Sequence, residues 1–508
     1  MASVRPSVLD LASRGLFRDV VSSHHMSPSS QDTRRAELLA QVNDRLAGDE
    51  VDRVTWPLGR LEAERDQRLR ALVSYAKANS PWHAERLAHV DADRLTASSL
   101  DEVPVMSKSD LMDNWDDIVT DRRLTKKGAE AELARLSADA AGMFWMNDFV
   151  LVETGGSTGH PTVVVWDTKG WVDMAAIVTR YGAWLQQSAA SGAENQDPPA
   201  ESFRWVQATI GSSHPTSMSR QLARFFERPE FENHEIPANS PIGDAVAALR
   251  ELHPLGLFGF ASALVAVANE VQQGRLDLSP AMVGASSEPL TEQMREFLFE
   301  QLGAAPSNTY AVTELGAMAA RTMPGRTDLC LVEDAAVYEP VIHTNDGTHE
   351  SATQQASDGL IVTNVLNRAM PLIRYQLPDR VLIEDPLADA PWSGRRITVV
   401  GPRPPAFTYR VPGHDPVVVD PMSIQDAVSS HPFVLDYSLL QTAEGITILV
   451  WLGSKSCEFE ELEERCRAHL AAAGLEQPVV EIACVAGPGE LPRTPAGKRR
   501  HLIPSSAT

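Results

Sequence analysis

The chain has 508 residues, 43% apolar and 22% charged, which is material for a large core and too long for one ordinary domain. Its 45 Lys and Arg face 68 Asp and Glu, a formal charge of −23 that repels phosphate backbones and excludes nucleic acid as an expected partner. Four cysteines without CxxC spacing fit a reducing cytoplasm better than a disulfide scaffold or a zinc site, and no run nears the roughly 18 apolar residues that would cross a membrane.

In chain order, residues 1–35 read as a loosely held arm. Its apolar residues are interrupted by Arg and Asp, unlike a signal peptide, and the pair His24–His25 sits in a polar Ser/Pro/Gln stretch that suits a solvated loop. Helical spacing runs from Arg35 to about Ala78 and stops near Pro81. FVLVET and TVVVW then read as strands around the loop GGSTGHP, followed by the amphipathic helix GWVDMAAIVTRYGAWLQQS. Strands and helices alternate through LIVTNV, RVLIED and RITVVG, the pattern of an α/β domain over residues 36–403. After the break GPRPP a smaller α+β domain is expected over 404–508, with strands at PVVVDP, GITILVWL and PVVEIACV and a helix at EFEELEERCRAHLAAAGL.

Four segments could carry chemistry. In Thr154-Gly155-Gly156-Ser157-Thr158-Gly159 the glycines let several N–H groups converge, and the hydroxyls add donors, which suits phosphate oxygens. The GK[ST] ending is missing and a strand follows, so this is no Walker loop; taken alone, the same residues also serve as a plain hairpin connection. Near the C-terminus, Leu491-Pro492-Arg493-Thr494-Pro495-Ala496-Gly497-Lys498 would hold a cation out on a shaped turn, where it could bridge a carboxylate and a phosphate. In Tyr310-Ala311-Val312-Thr313-Glu314 a ring that could stack on adenine precedes a carboxylate that could bind Mg²⁺, although a core Tyr and a surface Glu fit as well. Asp379, at a strand end after NRAMPLIRY, could accept from both ribose hydroxyls or simply cap its strand.

Taken in this order, the motifs resemble the acyl-adenylate-forming (AMP-binding) superfamily, and ANSPWHAERLA, LDEVPVMSKSDLM and VTNVLNRAMPLIRY are similar to its phenylacetate–coenzyme A ligase branch. The likeness covers roughly residues 65 to 500. It implies a large adenylate-forming α/β domain hinged to a small mobile one, ATP, Mg²⁺ and coenzyme A as the small molecules used, and a cytoplasmic enzyme acting on a small acid. It also implies that Thr154 to Gly159 hold the phosphates, and that Ser286, Ser287 and Glu288 lie at the adenine-side strand end with Tyr310 stacked on the base. Thr313 and Glu314 would serve the α-phosphate and Mg²⁺, Asp379 and Arg403 the ribose, and Lys498 adenylation. His214 falls near a ring-bearing position of the family's acyl pocket, and Trp205, Phe258 and Phe260 are further lining candidates that core packing would equally explain.

Three departures stand out: Thr162 replaces a frequent phosphate-binding Lys, Gln376-Leu377-Pro378 replaces Arg-x-Gly before the ribose Asp, and Pro404-Pro405 occupies the hinge. The expected reaction is attack of the acid on the α-phosphorus, release of pyrophosphate, and transfer to coenzyme A after a hinge motion near Arg403, with few other contacts between the domains. The hinge prolines keep other acceptors open: an amine, a carrier protein, or nitrogen–nitrogen bond formation from an acid such as nitrite. A non-catalytic nucleotide-binding homologue is the alternative of another class, and the oligomeric state, a homodimer included, is not legible.

Overall fold

The computed structural model describes residues 30–138, 142–154, 161–192, 204–212, 214–228, 230–323, 326–343, 349–352, 355–390, 392–402, 405–411, 415–453 and 456–505. His24–His25, Gly155, Gly156, Ser157, Thr158, Gly159, Arg403 and Pro404 lie outside the described residues. The chain forms two compact units, one of residues 1–205, 214–233 and 308–400, the other of residues 206–213, 234–307 and 401–508.

In the first unit the long helical stretch is two helices, Ser30–Ala47 and Leu58–Asn79, separated by Gly48 and Pro57. Pro81 opens a further helix, Pro81–Arg86, capped by the Ser80 hydroxyl, rather than merely ending the one before it. The strands around the glycine loop, Phe149–Glu153 and Val163–Asp167, pair antiparallel and are buried on both faces except at their ends, which is why they read as continuous apolar runs. The helix Thr168–Gly192 follows directly, with the Asp167 carboxylate accepting the Gly170 N–H at 2.8 Å. The strands Ser307–Val312, Gly316–Thr322, Leu329–Leu331, Arg396–Pro402 and Asp379–Glu384 lie side by side in that order, and Ala336–His343, Gly359–Asn364 and Tyr375–Leu377 belong to a second sheet.

One buried charge cluster ties distant parts of this unit together. Arg180 makes two bonds to Asp334 (2.7 and 3.0 Å) and one to Glu50 (3.0 Å), while Arg53 reaches Asp334 at 3.3 Å. The arginines hold the Asp334 carboxyl well below the usual carboxylate range against the opposing effect of burial.

In the second unit the parallel strands Trp205–Gly211, Gly256–Phe260 and Met282–Ser286 carry the helices Ile242–Leu252, Ala261–Gln272 and Glu292–Leu302. The C-terminal part has the expected α+β make-up, a sheet ordered Val479–Cys484, Gly445–Trp451, Asp436–Gln441, Leu502–Ile503 with the helices Met422–Ser429 and Glu460–Ala472. The expectation of few contacts outside the hinge does not hold within this unit. Trp451 meets Phe297 edge to face at 5.6 Å, and Leu435 and Leu491 share one core with Leu298 and Leu302. The cause is an apolar face on the helix Glu292–Leu302 that the C-terminal sheet covers.

The segment ANSPWHAER gives a measurable consequence. Fully buried His83 sits with Nε2 2.9 Å from the Pro371 carbonyl, which can only accept, so Nε2 carries the proton and Nδ1, without a partner, is bare. Burial, then the Arg86 guanidinium, push the imidazole down to about 3. The unfolded chain therefore takes up this proton first, so the stabilisation is complete above pH 6.5 and is lost as pH falls from there towards 3. Denaturant melts should show stability falling by up to about 1.4 kcal/mol per pH unit across that window. His83→Gln should flatten the slope, and an unchanged slope would assign it to other groups.

Candidate active site

In the first unit the strand Ser307–Val312 runs into a single turn, Thr313–Leu315, and leaves it at Gly316 with φ +96°. A Cβ at Gly316 would sit 2.8 Å from Met174 Cγ, so the close packing of helix Thr168–Gly192 demands glycine there. The turn presents half-buried Thr313 and Glu314, and the Asn364 amide donates to the Glu314 carbonyl at 3.0 Å. Tyr310 is buried, and its phenol is raised well above the usual value by burial, then by Asp379, with Tyr338 and Glu314 adding to it. Burial and then Glu314 raise the neighbouring Tyr375 phenol in the same direction. Thus Asp379 and Glu314, expected with Tyr310 at one nucleotide site, both lie within electrostatic reach of its phenol.

Asp379 follows a one-residue break between two strands. Tyr375–Leu377 pairs with Gly359–Asn364, and Pro378 separates it from the strand Asp379–Glu384. Arg374 stands in the left-handed region (φ +53°), held by Glu339 at 2.9 Å and by the Val103 carbonyl at 2.6 Å. The segment VPVMSKSD docks beside it, Met106 exchanging bonds with the Arg374 carbonyl and the Gln376 N–H (both 2.8 Å).

The two ends of the glycine loop are fastened to each other: the Thr154 N–H donates to the Thr162 carbonyl (3.0 Å), and the Thr162 N–H to Thr154 Oγ1 (2.9 Å). Thr162, at 1% exposure, is buried structure rather than an exposed stand-in for a phosphate-binding lysine. Just before the loop, Glu153 accepts from Thr216 Oγ1 at 2.6 Å and lies 3.4 Å from His214 Nδ1. His214 is thereby anchored at the loop's entry strand. Trp205 is buried at the start of its strand.

In the second unit the tail forms a tight hairpin. The Thr494 N–H donates to the Lys498 carbonyl and the Gly497 N–H to the Thr494 carbonyl (both 2.8 Å), while Gly497 takes φ +89° with Ala238 and Asn239 against it. Lys498 Nζ lies 5.8 Å from the centroid of the Phe260 ring. Arg499 is fully buried against Asp436, with bonds of 2.8 and 2.6 Å. Ser286 pairs with Phe260, and Ser287 turns sharply at φ +67°. The Glu288 carboxylate then accepts the Ser262 N–H (2.9 Å) and the Arg499 N–H (2.5 Å). Among the described residues no three His, Cys, Asp or Glu gather as a metal cage, and no helix is long and apolar enough to cross a membrane.

No family model matches the chain. Protein CapK of Staphylococcus aureus is 20% identical over 333 residues, 63% of each chain. Acetyl-coenzyme A synthetase of Vibrio parahaemolyticus is 27% identical over 188 residues, 35% of this chain and 26% of that protein. The chain thus spans less than two thirds of either curated relative. Among solved structures, 2-hydroxyisobutyryl-CoA ligase in the postadenylation state with R3-HIB-AMP superposes with a TM-score of 0.63 at 15% identity, covering 89% of this chain and 91% of that one. The chain has the acyl-adenylate-forming fold.

Within this adenylate-forming fold, large N-terminal and smaller C-terminal parts follow as expected from the sequence. Sequence reading missed Asn364, Glu153, Asp436 and the two arginines that shape the lysine turn. Only Arg493 and Arg499 left a local trace, as the cations flanking Thr494–Lys498. Gly316→Ala should lower stability by about 1–3 kcal/mol through forced backbone and overpacking. Thermal and denaturant melts measure this, and wild-type stability would mean that the turn has another conformation open to it.

Proposed function

We propose that this chain uses ATP to convert a small carboxylic acid, an aryl or related acid as in the phenylacetate–coenzyme A ligase branch, into its acyl adenylate, and passes the acyl group to coenzyme A. The nearness of Asp379 and Glu314 to the Tyr310 phenol is the observation that supports it. In this reading Tyr310 packs on adenine, Asp379 takes the ribose hydroxyls with Arg403, and Thr154 to Gly159 take the phosphates. Thr313 serves the α-phosphate. Ser286 and Ser287 border the base, and His214 borders the acid. A magnesium ion would fit the donor set: Glu314 would supply one hard oxygen, leaving room for phosphate and water oxygens. When bound, it neutralises phosphate charge.

The carboxylate oxygen attacks the α-phosphorus, the bond to pyrophosphate breaks, and no general base is needed because the acid is already ionised at pH 7. Lys498 brings the two anions together. A thiol sulfur then attacks the acyl carbon, AMP leaves and the thiol proton goes to solvent. Residues 36–403 and 404–508 act as large and small domains hinged at Arg403, in the cytoplasm where ATP and coenzyme A are at hand.

A second reading keeps the adenylate and changes the acceptor to an amine, a carrier protein or, with an acid such as nitrite, a nitrogen nucleophile. It is favoured by the core that Trp451 and Phe297 share, which a rotation of the C-terminal part would have to break. AMP release measured with coenzyme A, with amines and with neither separates the two readings.

Lys498→Ala should slow acid-dependent pyrophosphate–ATP exchange by roughly 10²–10³, the scale of one oriented electrostatic group. Exchange at the wild-type rate in that variant would refute the assignment.

A further inference from the structure

The contacts of the lysine hairpin fall into two sets. One lies wholly within the C-terminal segment: the Arg499–Asp436 pair, and the Thr494–Lys498 and Arg493–Gly497 bonds that shape the turn. The other joins that segment to residues 234–307. Glu288 Oε1 accepts the Arg499 N–H, Arg493 donates to the Ser262 hydroxyl (3.0 Å) and carbonyl (3.3 Å), and Asn239 Nδ2 donates to the Pro495 carbonyl (3.0 Å). The first set gives the turn its shape, and the second fixes where the turn sits.

Glu288 is the anionic member of the second set, and it is pre-oriented. Its other oxygen accepts the Ser262 N–H in the first turn of helix Ala261–Gln272, where the exposed amide dipoles favour a carboxylate. The left-handed backbone at Ser287 aims it there, at the end of strand Met282–Ser286. Both oxygens are thereby engaged by main-chain donors. One donor belongs to the scaffold, the other is the amide immediately after Lys498. The geometry points to Glu288 as a positioning residue, a latch that holds the Lys498 hairpin at the N-terminus of helix Ala261–Gln272, in place of the adenine-side role its motif implies. This rests on Lys498 being the adenylation lysine.

The two roles part in a double-mutant cycle read by acid-dependent pyrophosphate–ATP exchange. Glu288→Ala should lower kcat roughly 10- to 100-fold, the scale of a hydrogen bond to a charged acceptor, with KM for ATP unchanged. Glu288→Gln keeps one carbonyl acceptor and should recover part of the rate; it also carries the test if circular dichroism shows that the alanine variant fails to fold. In a Lys498→Ala background, neither change should slow exchange further. Additive losses, or a raised KM for ATP, would overturn the latch in favour of a contact with the nucleotide, and a wild-type kcat for Glu288→Ala would overturn it outright. Lys498→Ala at the wild-type rate would instead remove the lysine assignment, and the latch with it, whereas a slow Lys498→Ala combined with additive Glu288 losses removes the latch alone.

Discussion

The ion pair between Arg499 and Asp436, both side chains at 0% exposure, is the constraint on which the shape of the C-terminal hairpin depends. A guanidinium in the interior must have its donors met, or its desolvation goes uncompensated. Asp436 takes Nε and one terminal nitrogen, and the carbonyls of Pro488, Leu491 and Pro492 take the rest. The chain from Pro488 to Pro492 is therefore wrapped around the guanidinium, and the hairpin that follows has little freedom in where it starts. A lysine at 499 could not do this, because an ammonium lacks the planar fork that reaches carboxylate and carbonyls at once.

Around the Glu314 turn the first unit uses amides where the lysine hairpin uses an ion pair. Asn364 accepts the Leu366 N–H and donates to the Glu314 carbonyl, and Asn367 donates to the Val165 carbonyl while accepting from Ala369 and Met370. Asp167 accepts from Arg368, Ala369 and Gly170. The run VTNVLNRAM is thus a polar seam between the Glu314 turn and the strand that leaves the glycine loop. Buried and satisfied, such a seam fixes relative position more sharply than apolar packing, because each bond has one geometry.

The strands were legible where both faces are buried. FVLV, VVVW and LIV are apolar without interruption, and each lies in a strand. The break between the first two helices was not read, because the helical spacing resumes after Gly48 and Pro57. Tyr310 and Glu314 share one short segment, so their proximity could be read directly. Asp379 reaches them through pairing of strands distant in sequence; its strand-end position leaves a ribose contact and a strand cap both open, and the resemblance implies the ribose. Glu288 shows where reading of this kind ends. Its partners lie 26 and 211 residues away, at distances no local pattern encodes, and the base-facing role came only from the resemblance.

Charge distribution separates Lys498 from the buried arginines that hold ion pairs. A chain of net charge −23 offers abundant carboxylates, and the buried arginines consume them: Arg180 and Arg53 with Asp334, Arg395 with Glu333, Arg374 with Glu339, Arg499 with Asp436. Among the described residues no ion pair engages Lys498; its ammonium faces the Phe260 ring instead. A ring face attracts a cation weakly and cannot neutralise it, so the positive charge stays available to an arriving anion. The hairpin supplies position, the latch supplies registry with helix Ala261–Gln272, and the missing carboxylate leaves the charge unspent. An acidic protein can in this way keep a local site for phosphate without a basic surface, provided the single cation is placed by bonds that do not involve its own ammonium group.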